Sequence, residues 1–169
     1  MKPEIILIGV FALFLLFNRL RYKAYRFALS GRIGMSAMLL MTASGHFLFA
    51  EGMAMMLPDF IPLKMEVVYI TGIIEIAAAI GLHLDRWREL TGRLLIVFLI
   101  LILPANIYAA FLNVNLQTAS FDGEGLDYLW YRIPLQIFYI LWIYKSSVNT
   151  KPFLKRDFLV GGSLKARGL

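Results

Sequence analysis

The chain has 169 residues, of which 60% are hydrophobic and only 17% charged, with a formal net charge of +6. A soluble domain of this size carries more charge and less apolar side chain, so the composition indicates a single-domain, all-helical integral membrane protein. The absence of cysteine excludes disulfides, thiol redox chemistry and iron–sulfur ligation, and no interleaved basic and aromatic motif points to nucleic acid as a partner.

Residues 5–17 are apolar throughout and predict a first membrane helix that extends towards Leu20. The positive charges Arg19, Arg21, Lys23 and Arg26 follow this run, and no small-residue cleavage site lies directly behind it. An uncleaved helix with its N-terminus outside is therefore expected, rather than a signal peptide.

Residues 32–57 carry Gly34, Ser36, Ala37, Ala43, Ser44 and Gly45, small side chains that allow close helix contact in lipid. A helix to about Ala50 is expected. Gly52, Pro58 and Pro62 then predict a broken or tilted segment at the membrane surface. Met53, Met55, Met56 and Met65 cluster there and read as adaptable packing.

Residues 66–84 predict a third span, with Gly72, Glu75 and Ala79 on one face. Residues 85–93 read as a short charged turn. Residues 94–114 are the most apolar stretch, opening with the uninterrupted run Leu94 to Leu103. Within it Pro104 removes a backbone donor, and Asn106 adds an amide that needs a partner in hydrocarbon. Residues 115–127 have the composition of a loop. Residues 128–145 predict a fifth span, with Arg132 and Gln136 four residues apart on one face. The basic tail from Ser146 is expected to be weakly ordered. The expected organisation is an N-terminal helix and basic loop (1–30), a four-helix bundle (31–147) and a tail (148–169).

Five spans put Arg19, Arg21, Lys23, Arg26, Arg32, Arg86, Arg88, Arg93 and Lys145 on one side, with the tail. Lys64 and the acidic loop of Asp122, Glu124 and Asp127 fall on the other. Positive charge marks the cytoplasmic side, so the C-terminus is expected in the cytoplasm. By depth alone His46, Glu75, Asn106, Arg132 and Gln136 then converge in the outer leaflet, Glu75 about 13 Å from the surface at 1.5 Å per residue. A charge in lipid seeks a partner, and Glu75 with Arg132 is the expected pair.

GHFLF, the Met- and Pro-rich segment behind it, YITGIIEIAAAIGL, LPANIYAA and YRIPLQIFYILW, in this order, resemble the DoxX family of small membrane proteins over residues 32–144. The resemblance implies a four-helix membrane bundle, here with an extra N-terminal helix, in a bacterial inner membrane. Founding members of that family are subunits of a thiosulfate:quinone oxidoreductase, and others assist redox enzymes or receptor assembly. A thiol role does not fit a chain without cysteine.

Two functional readings stand. In the first, the outer-leaflet pocket binds a quinone or similar lipophile for a partner membrane or periplasmic redox protein. His46 and Arg132 would hydrogen-bond the head group, Glu75 would hold Arg132 or relay a proton, and Asn106 and Gln136 would orient the ligand. In the second, the chain is an assembly factor or scaffold, and the same residues only fix helix packing. No flavin or redox-metal motif is present, so a complete electron path within the chain is not expected. His83 and Asp85 are too few for a metal site. His46 and His83, on opposite leaflets, do not suit a bis-histidine haem. The residues assign no catalytic role and no oligomeric state.

Overall fold

The computed structural model describes residues 2–150, and the expected tail beyond residue 150 lies outside them. The chain is all-helical: α1 Pro3–Tyr22, α2 Phe27–Leu48, α3 Ala50–Met55, α4 Lys64–Gly81, α5 Arg88–Phe111 and α6 Asp127–Ile143, closed by a π-helical turn Tyr144–Val148. A single isolated bridge, Asn115 to Ser120, is the only β pairing among the described residues.

Each break has a local cause. Lys23 in the left-handed region (φ 54°) ends α1, and Asn113 (φ 54°) follows the end of α5. The α2 helix stops at Leu48, close to the expected end near Ala50, and α3 is the short broken segment that Gly52 and the two prolines predict. Pro104 does not break α5, which runs for 24 residues through it. The charged turn is shorter than expected: Arg88 already begins α5, so Arg88–Arg93 are helical. Ser146 and Ser147, expected in a loose tail, are buried in the π-helical turn.

The α2 helix is the hub, packing against α1, α4, α6 and the π-helical turn. The most apolar helix, α5, lies instead to one side, against α6 and that turn. Small residues on α2 explain the difference. A Cβ on Gly34 would sit 2.7 Å from the Leu7 carbonyl oxygen of α1, and one on Gly31 would sit 3.1 Å from Ser146. Helices approach closely only where side chains are short.

The core runs through the middle and basic end of the bundle: Leu7, Met35, Leu39, Ala79, Leu82, Leu95, Leu99, Tyr139 and Ile143 are all buried. Outside it, α1, α4, α5 and α6 present large apolar side chains such as Ile5, Leu13, Ile73, Ile80, Val97, Leu101, Ile137 and Leu141. Two helices, Pro3–Tyr22 and Arg88–Phe111, are long and apolar enough to cross a membrane. Trp142 ties α6 to the first two helices: its ring packs edge-on against Phe11, and its indole N–H donates to the Gly31 carbonyl at 2.9 Å.

Candidate functional site

A cavity of about 390 Å³ opens at the end of the bundle opposite the core. Its wall is mostly apolar, with Met41, Met53, Met56, Val67, Phe98 and Ile102 contributing. Four of the five expected site residues line it: His46, Glu75, Asn106 and Arg132. Gln136 does not. It is buried behind the wall and donates through Nε2 to the Leu99 carbonyl, tying α6 to α5. Its register four residues beyond Arg132 is as expected, but the turn of α6 carries it into the α5 interface.

His46 reaches the cavity because of Gly72. A Cβ at Gly72 would lie 2.9 Å from the His46 Cβ, so only glycine lets α2 bring the imidazole this close to α4. Gly72, Glu75 and Ala79 are all buried on one face of α4, as their spacing predicts.

The expected ion pair between Glu75 and Arg132 is not formed. Glu75 Oε1 lies 3.7 Å from His46 Nε2, and Glu75 Oε2 accepts a hydrogen bond from Thr42 Oγ1 at 2.7 Å. The reason is which helices touch: α4 packs on α2, which carries both Thr42 and His46, whereas Arg132 on α6 packs with α5. Arg132 borders the same cavity without an ion pair among the described residues, and its Nε is shielded from solvent with no hydrogen-bond partner among them.

The position of a proton on His46 follows from its neighbours. Nδ1 lies 3.1 Å from the Val68 carbonyl oxygen and 3.0 Å from Thr71 Oγ1. Thr71 spends its own hydrogen on the same Val68 carbonyl, at 2.7 Å. Both neighbours of Nδ1 therefore offer lone pairs, and Nδ1 carries the N–H. That leaves Nε2 facing the Glu75 carboxyl. At 3.7 Å the two atoms are close enough for charge attraction but lie beyond hydrogen-bond reach. The pair, with side chains only 16% and 8% exposed, forms a His–Glu dyad on the cavity wall.

Asn106 spends its Nδ2 on the Ile102 carbonyl, one turn earlier, at 2.9 Å. That is not the carbonyl that Pro104 frees, which belongs to Ile100, so the amide does not repair the proline defect. Its remaining oxygen is the group that can face a ligand.

Sequence reasoning missed three contributors. Thr42 and Thr71 looked like ordinary helix residues, and only the α2–α4 register makes them partners of Glu75 and His46. The third is the start of α1. Pro3 lines the cavity, and Tyr131 of α6 donates through its hydroxyl to Glu4 Oε1. The second Glu4 oxygen is shielded without a partner. A carboxylate near the N-terminus of the chain gives no sequence signal that it will reach α6.

His83 and Asp85 point to different partners, His83 Nε2 to Ser36 Oγ at 3.0 Å and Asp85 to Arg88 at 3.1 Å. No group of three or more metal-ligating side chains occurs among the described residues.

No curated protein and no solved structure matches the chain. A family model does match, over residues 35–147, which take in the cavity residues of α2 to α6 but not α1. On that match the chain belongs to the family described as a domain of unknown function, DUF8561.

Proposed function

We propose that the chain is a DoxX-like membrane bundle whose cavity binds a quinone-class lipophile as an accessory to a membrane redox enzyme. On this reading α1, α2, α4, α5 and α6 all span, the cavity opens to the outer leaflet, and the basic end lies in the cytoplasm of a bacterial cell. The apolar outer faces of α1, α4, α5 and α6 support the five spans, because such faces are stable against lipid and costly against water. The order of GHFLF, LPANIYAA and YRIPLQIFYILW supports the DoxX likeness.

The observation that carries the binding reading is the composition of the cavity wall. A mostly apolar space with a few convergent polar groups suits a ligand with an apolar body and a polar head. His46 Nε2 and Arg132 supply donors for head-group carbonyls, and the Asn106 oxygen accepts from a hydroxyl. On this reading His46 donates from Nε2 to the head group, with the Glu75 carboxyl 3.7 Å away on the same wall. The electrons for any reduction come from the partner enzyme.

The test is to purify the chain in mild detergent, extract it, and measure bound quinone by mass spectrometry. About one quinone per chain is expected, with occupancy or affinity falling about tenfold or more in Glu75→Gln and Arg132→Gln, since each removes a charged hydrogen-bonding group. No bound quinone, and no saturable binding of an added short-chain analogue, would overturn the reading. A scaffold role is then favoured by one observation: Asn106 and Gln136 spend their donors on helix carbonyls.

A further inference from the structure

At the opposite, basic end of the bundle Arg32 and Arg88 stand on two helices that meet at the π-helical turn, with little acid among the described residues to balance them. Arg32, in α2, donates through Nη1 to the Ser146 carbonyl of the π-helical turn at 3.1 Å. Arg88, the first residue of α5, donates through Nη1 to Asp85 Oδ1 at 3.1 Å. A Cβ at Gly92, one turn into α5 from Arg88, would lie 3.1 Å from Ser147 and Val148 of the same π-helical turn, so α5 brings Arg88 to the turn that Arg32 holds. The Nε of each is shielded from solvent and has no hydrogen-bond partner among the described residues.

The balance is uneven. Asp85 is 95% exposed on its side chain, so its pairing with Arg88 is screened and weak. The other ring nearby, His83, is kept towards its neutral form, first by burial and then by the charge of Arg32. Among the described residues, two cations thus face one solvated carboxylate, an arrangement that costs energy unless an anion joins it. Both side chains are already clamped through one nitrogen, Arg32 on a backbone carbonyl of the π-helical turn. Each keeps its second terminal nitrogen free of partners among the described residues. Fixed guanidinium forks are the geometry that recognises tetrahedral oxyanions.

We propose that Arg32 and Arg88 together form a binding site for a phosphate-class oxyanion, carried either by an anionic phospholipid head group or by free phosphate. The site is separate from the cavity and does not depend on its ligand. It differs from the surrounding basic residues Arg21 and Arg26, which are exposed on the chain surface and whose guanidiniums lie over the Tyr22 ring.

The experiment measures binding to the purified full chain in neutral detergent at fixed ionic strength. Three additions are compared: short-chain phosphatidylglycerol, short-chain phosphatidylcholine and inorganic phosphate. Saturable binding of phosphatidylglycerol, weakened about tenfold or more by Arg32→Gln or Arg88→Gln and little changed by Arg21→Gln, is the expected result. If inorganic phosphate saturates the same site and displaces the lipid, the source is free phosphate. If it does not compete, the source is the lipid. Equal weakening by Arg21→Gln would mean a diffuse basic face and overturn the proposal, as would no saturable binding of either anion, or binding of phosphatidylcholine alone. Should Arg32→Gln fail to fold, Arg88→Gln decides, because Arg88 makes no contact to the π-helical turn through a hydrogen bond.

Discussion

Thr42 has one hydroxyl hydrogen and two acceptors within reach, Glu75 Oε2 at 2.7 Å and the Leu39 carbonyl at 3.1 Å. The shorter contact goes to the carboxyl, which has few other partners. Removing the hydroxyl strands a nearly buried oxygen, so Thr42→Val is expected to cost about 1–3 kcal/mol, while Thr42→Ser restores most of it. Denaturant unfolding in detergent measures the difference. Sequence alone pointed Glu75 to Arg132, because opposite charge and similar depth were the available criteria. Charge was readable; helix adjacency was not, and adjacency decided the partner.

His83 supplies a pH prediction at the same scale. Burial first, and the Arg32 charge second, lower its pKa from the usual histidine value. The folded chain therefore favours the neutral ring. The stability this contributes is present above the unfolded value of about 6.5 and is lost as the pH falls through the lower folded value. Melting temperature should drop on acidification below about pH 6.5, and His83→Gln should flatten that drop. An unchanged slope in the variant would show that another group titrates.

Two glycines govern how the helices seat. A Cβ at Gly34 would press on the Leu7 carbonyl and on Phe11, so Gly34→Leu should lift α1 from α2 and destabilise by about 1–3 kcal/mol. At Gly52 a Cβ would collide with the Leu116 carbonyl. Gly52→Ala should therefore push α3 away from the loop after α5 and disturb the wall made by Met53, Met56 and Leu116. Helical circular dichroism should survive while quinone occupancy falls. Occupancy equal to that of the unchanged chain would show that α3 does not shape the cavity. The small residues of α2 announced a close-packing helix in the sequence. That Pro104 would leave α5 continuous was not readable, since a proline inside an apolar helix can kink, break or be absorbed by its neighbours.

At the scale of the whole molecule, basic and acidic loops lie at opposite ends, and that segregation is written plainly in the sequence. The chain has no native cysteine, so single cysteines report topology directly. Asp122→Cys should react with a membrane-impermeant maleimide in intact cells, and Arg86→Cys only after permeabilisation. The reverse pattern would overturn the proposed orientation and turn the cavity towards the cytoplasm. Helix number and loop charge were legible because both follow from local composition. The cavity was legible only as a depth coincidence of four residues, and its boundary with the helix interfaces, which excludes Gln136, needed the fold.

The contact between Glu4 and Tyr131 joins the opening turn of the chain to α6, across a span of sequence that begins before the family match. Pro3 stands at the rim beside it. Without that first turn the cavity would have a doorway on that flank, while His46 and Glu75 kept their places on α2 and α4. On the proposed reading, guests of larger girth would then fit while their polar ends met the same imidazole.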